Sequence, residues 1–243
     1  MCMKSKAADL AGQGFRKFQK QSFVETHRMN KGCFTRPRKL NFFDVSMIIM
    51  QNSNHGLYDA IRSYMDIAKE DIKCTEAAFC YARQKINYTA FRELAIDAAY
   101  GFYKDGNYKT MYGYRIWGID GSDVNLPNTP SVLAEFGSQK TSGSEQAQAL
   151  VSCLFDVLNL VTLTGEFAPC HSSERDLAKL HLAELVQFRN TTGVSNQSEL
   201  IMCDRGYPSE GLIEECEKSG FNYIIRVTAE HFWQEVRYNG KFY

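Results

Sequence analysis

The sequence predicts an α/β protein in which a mixed β-sheet with flanking helices follows an all-helical N-terminal region. Two observations predict this class. Apolar residues recur at three- and four-residue spacing over residues 41–106, whereas short β-branched and aromatic runs bounded by turn residues follow from there on. Those runs occur in the order strand, hairpin pair, helix, strand, helix, strand, which combines antiparallel and parallel neighbours. We therefore divide the chain into a basic arm over residues 1–40, a helical domain over residues 41–106 and an α/β domain over residues 107–243.

Size and composition limit the class of protein. A chain of 243 residues with 44% hydrophobic side chains can form one large or two modest domains with a real core. No stretch approaches the ~20 continuous apolar residues that a membrane helix needs, and the N-terminus lacks the apolar segment of a secretory signal. The eight cysteines are scattered without a Cys-x-x-Cys pair, which favours reduced thiols over a disulfide framework or a zinc site. We predict a cytoplasmic protein that does not associate with a membrane.

The first 40 residues carry an excess of positive charge. They contain ten Lys or Arg and two acidic residues, a net charge of +8, so the rest of this neutral chain carries −8. A basic arm on an acidic body indicates a nucleic-acid partner, although a solvated tail has the same composition. Because the apolar periodicity is weak here, we predict a weakly ordered arm, in which Phe15, Phe18 and Phe23 allow one short helix.

The helical domain is predicted to contain four short helices. Thr75 is the expected N-cap of one of them, which carries Arg83, Gln84 and Lys85 near its polar end. Two arrangements fit this pattern: a helix-turn-helix domain whose Thr75–Lys85 helix reads DNA, or an ordinary bundle with a solvated face. Arg83 and Lys85 are the candidate DNA-binding residues of the first arrangement.

The α/β domain begins with a strand over Tyr114–Asp120 that breaks at once into Gly, Ser, Asp, Asn and Pro. Residues 128–145 are rich in turn formers and predict a long loop. Ser172 or Ser173 is expected to cap a helix whose first-turn acids, Glu174 and Asp176, suit the helix dipole. The other expected elements are a hairpin of Ala147–Asp156 and Asn159–Phe167, a strand Glu199–Cys203, a helix Glu210–Lys218 ended by Gly220, and a strand Asn222–Val227.

Two aspartates occupy equivalent places in this pattern. Asp120 and Asp204 each come at the end of a strand, and each is followed by a glycine within two residues. If the two strands are neighbours, both carboxylates lie in one crevice, where hard divalent cations such as Mg²⁺ or Mn²⁺ bind. Two such ions about 4 Å apart promote cleavage of a phosphodiester. For either aspartate alone, a loop cap or turn residue is the simpler interpretation, and Asp123 and Asp156 are interpreted in that way.

Several stretches together resemble bacterial insertion-sequence transposases of the DDE type. They are Ala78-Phe79-Cys80-Tyr81-Ala82-Arg83-Gln84-Lys85, Ile119-Asp120-Gly121-Ser122, Asn125-Leu126-Pro127, Leu154-Phe155-Asp156-Val157-Leu158-Asn159 and Cys203-Asp204-Arg205-Gly206-Tyr207-Pro208-Ser209. The resemblance runs from near Phe42 to Val227, and the Asp-Arg-Gly-Tyr-Pro-Ser stretch is its most specific part.

The resemblance implies an RNase H-like catalytic domain over residues 107–243 that performs DNA transposition. Asp120 and Asp204 match the first and second catalytic, metal-binding carboxylates, 84 residues apart. The implied cofactor is Mg²⁺ or Mn²⁺, and the implied partner is double-stranded DNA at transposon ends. Self-association is possible, and the sequence does not define the oligomeric state. The helical domain matches the family's N-terminal region, which is associated with transposon-end DNA.

One part of the family pattern has no counterpart. The third carboxylate, a glutamate, lies well beyond the strand that Asn222–Val227 matches, whereas sixteen residues follow Val227 here. Glu230 and Glu235 come too early to match it. We therefore expect a C-terminally truncated transposase that is inactive by itself. The alternatives are a non-catalytic DNA-binding remnant, which is inert or inhibits full-length relatives, and a small metal-dependent nuclease or phosphatase that is complete in itself.

Overall fold

The computed structural model describes residues 3–51, 56–68, 74–141, 143–193 and 198–227. Within these ranges, no helix has both the length and the apolar character needed to span a membrane. The chain divides into two compact units, Met1–Ala98 and Ala99–Tyr243. Helices fill the first unit and a mixed sheet with helices forms the second, so the predicted fold class is confirmed.

Helices with clear capping signals form the first unit. In the described part of the chain they are α1 (Met3–Phe18), α2 (Gln21–His27), α3 (Phe42–Met50), α4 (Leu57–Ala68), α5 (Glu76–Arg83) and α6 (Thr89–Tyr103), the last of which continues into the second unit. The Asn41 side chain and Asp44 form a capping box at the start of α3. Thr75 caps α5 as predicted, since its hydroxyl accepts a 3.2 Å hydrogen bond from the Ala78 amide.

The prediction of a weakly ordered arm over residues 1–40 is wrong for the part that is described. Phe18 and Phe23 are buried, with their rings 6.1 and 6.2 Å from the ring of Phe42. Lys17 forms ion pairs with Glu93 and Asp97 of α6. The arm is ordered because residues far away in sequence pack on its few apolar side chains and pair with its charge. Local periodicity does not reveal such contacts.

In the residues that the structure describes, the second unit contains a six-stranded mixed sheet. Its strands are β1 (Tyr114–Asn125), β2 (Ser138–Thr141), β3 (Ser144–Asp156), β4 (Val161–Pro169), β5 (Ser198–Cys203) and β6 (Asn222–Ile225). The order is β2-β3-β1-β5-β6, with β4 paired to β3. β1, β2 and β4 pair with β3 in antiparallel fashion, so the predicted hairpin is confirmed, whereas β1–β5 and β5–β6 are parallel.

Three helices accompany this sheet in the described residues: α7 (Pro130–Phe136), α8 (Glu174–Thr192) and α9 (Glu210–Ser219). Ser173 caps α8, and Gly220 ends α9 with a φ of 70°, both as predicted. The long loop predicted over residues 128–145 is wrong, because it contains α7 and β2. Thr129 caps α7, Pro130 opens it and Gly137, at a φ of 79°, ends it.

The core of the second unit lies between α8 and one face of the sheet. Trp117 and Ile119 of β1 and Ile201 of β5 are buried on this face. Leu185 and Phe188 of α8 are buried too, and the rings of Phe188 and Trp117 meet edge to face at 5.9 Å. Alternate residues of β1 therefore point toward α8, and the residues between them point to the other face of the sheet.

Candidate metal site

Asp120 and Asp204 lie side by side on neighbouring strands. In the parallel pairing of β1 and β5 the last matched residues are Ile119 and Cys203. Asp120 is the next residue of β1, and Asp204 is the first residue after β5. Neighbouring strands are about 4.8 Å apart, so the two residues start from adjacent points of one sheet edge. Both are exposed, and the Asp120 side chain lies on the face of the sheet away from α8. The sheet thus brings together the two residues that the sequence singled out.

The position of Asp120 within β1 differs from the prediction. β1 does not end at Asp120 but continues to Asn125, and its last part pairs with β3 alone, from Gly121 opposite Ser152 to Asn125 opposite Gln148. Gly, Ser, Asp and Asn favour turns in isolation, but the hydrogen bonds of a long partner strand outweigh that local preference. Asp120 is therefore the point at which β1 loses its parallel neighbour, within an extended strand.

The two carboxylates have the same local arrangement. Oδ1 of Asp120 accepts a 3.0 Å hydrogen bond from the Gly121 amide, and Oδ1 of Asp204 accepts one from the Arg205 amide. Cys153 lies opposite Asp120 on β3. Burial and, after it, the negative charge of Asp120 raise the pKa of the Cys153 thiol. The thiol therefore stays protonated at neutral pH, and the exposed oxygen atoms are the stronger ligands at this edge.

The first turn of α8 lies behind the two aspartates, on the other face of the sheet. A Cβ atom at Gly121 would lie 2.6 Å from Oε1 of Glu174, and a Cβ atom at Gly206 would lie 3.2 Å from Oε2 of the same carboxylate. Arg175 donates a 3.2 Å hydrogen bond from Nε to the carbonyl of Gly206. Sequence reasoning interpreted Glu174 only as a helix-start acid, and the signal that it missed is the pair of glycines facing it.

A buried polar pair lies deeper under the same edge. Nε2 of His181 on α8 is 3.0 Å from Oγ of Ser152 on β3, and both side chains are inaccessible to solvent. Burial lowers the pKa of His181 to about 4. Tyr207 is also buried, and its pKa is raised by burial first and then by the charges of Glu174 and Asp120. These groups are neutral at pH 7, so the negative charge of the site comes from its carboxylates.

Asp156 is confirmed as a turn residue and has a wider structural role. Its Oδ1 accepts from the amides of Leu158 and Asn159, both at 2.9 Å. Its Oδ2 accepts from Asn159 Nδ2 at 2.8 Å and from the Tyr103 hydroxyl at 2.7 Å. The carboxylate is fully buried and has four donors, so it serves the fold and is not available to a ligand.

The donors at Asp120 and Asp204 suit a hard divalent cation. Mg²⁺ is commonly held by one or two carboxylates and completes its coordination with water and substrate phosphates. Among the residues that the structure describes, no group of three or more His, Cys, Asp or Glu side chains is arranged to hold a metal ion. Glu230 and Glu235 lie outside those residues. The carboxylates of Asp120 and Asp204 therefore fit an ion that takes only part of its ligands from these two side chains.

The candidate DNA-binding residues lie in the first unit. Arg83 is the last residue of α5 and is exposed, whereas Lys85 is half-buried in the turn that follows the helix. Further exposed basic residues lie just before α3, at Arg36, Arg38 and Lys39. The first unit thus displays positive charge both beside α5 and before α3.

Comparison with known proteins identifies the family. A solved structure, the cryo-EM structure of a piggyBac transposase synaptic complex with hairpin DNA, is similar with a TM-score of 0.43 and 11% identity, covering 88% of this chain and 49% of that chain. The present chain thus spans about half the length of that transposase. A search of curated proteins finds no match. The profile of the transposase DDE domain matches residues 112–241, which is more than half of the sequence. The chain therefore belongs to the family of transposases with a DDE domain.

Proposed function

We propose that Asp120 and Asp204 are two metal-binding carboxylates of a DNA transposase that cleaves and rejoins phosphodiester bonds at transposon ends. The observation that carries this proposal is the parallel register of β1 and β5, which sets the two aspartates next to each other on an exposed edge. Members of the DDE family generally use divalent metal ions, and the oxygen donors here suit Mg²⁺ or Mn²⁺.

The chain's own groups have distinct tasks in this proposal. Asp120 and Asp204 would supply carboxylate oxygens to the cation, and their amide hydrogen bonds keep one oxygen of each carboxylate in a fixed direction. The bound ion would supply charge stabilisation for the in-line displacement at phosphorus. Both aspartates are exposed, so a DNA strand can reach them from solvent.

Metal titration of the purified chain tests the site. We expect Mn²⁺ to bind to the 243-residue protein in calorimetry, and Asp120→Asn and Asp204→Asn each to weaken binding at least tenfold. Asp123→Asn is the matched control, since Asp123 is an exposed carboxylate of the same strand. Equal Mn²⁺ affinity in the wild type and in both site variants would show that the two aspartates form no metal site.

The first unit is proposed to bind duplex DNA. Its support is the exposed charge at Arg83, Arg36, Arg38 and Lys39, together with the half-buried Lys85. Binding of this kind must weaken with salt, because each phosphate contact releases counterions. In anisotropy titrations of a labelled duplex, we expect the logarithm of the binding constant to fall linearly with the logarithm of the salt concentration. Replacement of Arg36, Arg38 and Lys39 by Ala should reduce the magnitude of that slope by about 3. An unchanged slope would remove these residues from the interface.

A second function, DNA binding without catalysis, is favoured by the same basic surface. The two are distinguished by combining the measurements. A chain that binds DNA with a salt slope but shows no Mn²⁺ binding acts as a DNA-binding protein only. A chain that binds both, with Mn²⁺ binding dependent on Asp120 and Asp204, has the transposase site.

A further inference from the structure

We propose that Glu174 is a positioning residue whose carboxylate, wedged behind the site, sets the spacing between Asp120 and Asp204. This inference rests on the proposed function, since the spacing matters for chemistry only if the two aspartates share an ion. It assigns a role to a side chain that lies on α8, away from the exposed edge itself.

The first argument comes from where the strand pairing stops. The β1–β5 ladder ends at Ile119 and Cys203, immediately before the two aspartates. Beyond that point no further β1–β5 pair keeps the segments at a fixed distance. The Glu174 carboxylate lies there, between Gly121 on one segment and Gly206 on the other. The carboxylate therefore separates the two segments at the point where the β1–β5 pairing ends.

The second argument comes from those two glycines. Gly121 directly follows Asp120, and Gly206 comes two residues after Asp204. A Cβ atom at Gly121 would lie 2.6 Å from Oε1, and one at Gly206 would lie 3.2 Å from Oε2. One carboxylate thus fills the space of two missing side chains, and both segments approach it closely.

The third argument is that Glu174 stands on a firmly held element. Ser173 caps α8 through a 3.3 Å hydrogen bond from the Asp176 amide, and Leu177 and Ala178 are buried in the core. Arg175 ties the same turn to the Gly206 carbonyl at 3.2 Å. A side chain on such a turn can hold neighbouring backbone in place, as a residue on a mobile loop cannot.

Glu174 acts through the backbone and not as a ligand beside the aspartates. Gly121 points toward α8, so the carboxylate that meets it lies on the opposite face of the sheet from the Asp120 side chain. Among the described residues, Glu174 does not combine with Asp120 and Asp204 into a three-membered group that could hold a metal. Its effect on an ion is therefore indirect, through the placement of the two segments.

The test uses variants of the full 243-residue chain. Glu174→Ala removes the wedge, and Gly121→Ala displaces it, because the clashing atom is the free end of a flexible side chain. Glu174→Gln keeps the shape. Gly211→Ala is the matched control, since its Cβ atom would lie 3.2 Å from Nζ of Lys179, also the free end of an α8 side chain, but on α9 and not beside an aspartate.

Two measurements are made on each variant: amide hydrogen exchange of the Asp204–Tyr207 backbone, and Mn²⁺ affinity by calorimetry. We expect Glu174→Ala and Gly121→Ala to speed the exchange and to weaken Mn²⁺ binding about tenfold, the lower end of the effect of residues that support metal ligands. Glu174→Gln and Gly211→Ala should match the wild type. The double variant Gly121→Ala, Glu174→Ala should be no worse than either single change, since both act through one carboxylate.

Wild-type exchange in both Glu174→Ala and Gly121→Ala would overturn the proposal. So would a Glu174→Gln variant as impaired as Glu174→Ala, because the charge and not the position would then matter. Absence of Mn²⁺ binding by the wild-type chain would refute the proposed metal site instead, and the exchange measurement would still decide the role of Glu174.

Discussion

Charged residues have opposite environments in the first half of β1, which contains Arg115, and in the second half, which begins at Asp120. In the first half, the guanidinium of Arg115 and the carboxylate of Glu199 are fully buried and paired, and Trp117 donates a 2.6 Å hydrogen bond to the same carboxylate. The rings of Tyr103 and Phe188 lie over the guanidinium. At Asp120, by contrast, the charge is exposed and lies beside that of Asp204.

The difference shows how one strand separates stability from ligand binding. A buried charge is tolerated only when it is paired and hydrogen-bonded, so the first half of β1 contributes a closed network that holds the sheet. Two adjacent exposed carboxylates repel each other, and a cation relieves that repulsion. Removing a charge from the buried network should therefore destabilise the protein. Removing the charge of Asp120 should leave the stability of the protein unchanged.

The largest effect is expected from Glu199→Ala. The change removes the carboxylate that pairs with the buried Arg115 guanidinium, which typically lowers the free energy of unfolding by about 3–5 kcal/mol. Urea denaturation followed by tryptophan fluorescence measures it, since Trp117 is in contact with the site of the change. If the free energy of unfolding fell by less than about 1 kcal/mol, water would have to reach Arg115, and the network around it would not be buried as described.

His181 should make the protein sensitive to acid. Its pKa is lowered to about 4 by burial, against an ordinary value of 6.5, so the unfolded chain takes up this proton at a higher pH than the folded one. The stabilising contribution is complete above pH 6.5 and is lost as the pH falls from 6.5 to 4, on the order of 3 kcal/mol. Denaturation between pH 7 and 4 should show this fall, and His181→Gln should flatten it. An identical pH profile for His181→Gln would exclude the histidine as its source.

Tyr103→Phe should have a smaller effect at the closed network. It removes the 2.7 Å hydrogen bond to the buried Asp156 carboxylate, which keeps its three other donors. We expect the free energy of unfolding to fall by about 2 kcal/mol, as for a hydrogen bond to a charged group. Tyr112→Phe is the control, because Tyr112 is 94% exposed. Equal stability of the two variants would contradict the prediction.

The smallest effect on stability is expected from Asp204→Asn. Removing one of two adjacent exposed charges should change the free energy of unfolding by less than about 0.5 kcal/mol in metal-free buffer. Thermal unfolding in the presence of a chelator measures this. A loss of more than about 1 kcal/mol would instead support the loop-cap interpretation of this aspartate, because that is the usual effect of removing a cap.

Local chemistry explains which features could be predicted from the sequence. Ser173 and Gly220 were recognisable because capping depends on the residue itself. The hairpin was recognisable from two apolar runs separated by a short turn. Asp120 and Asp204 were recognisable as a pair because both follow apolar runs within one α/β pattern.

The features that were missed depend on contacts between distant residues. The continuation of β1 to Asn125 depends on its pairing with β3, and the order of α1 depends on packing against α3. The position of Glu174 beside two glycines requires α8, β1 and the Gly206 segment to be placed together. No local pattern carries that information.

The register of β1 and β5 also determines which length changes the protein can tolerate during evolution. The aspartates are 84 residues apart in sequence, yet their proximity depends on six matched positions, from Tyr114 with Ser198 to Ile119 with Cys203. Insertions in the loops between these strands leave that match intact. Deletion of one residue within β5, with the rest of its pairing kept, would turn Asp204 to the face of α8. Related chains can therefore differ widely in the segment between the aspartates while these two short strands keep their length.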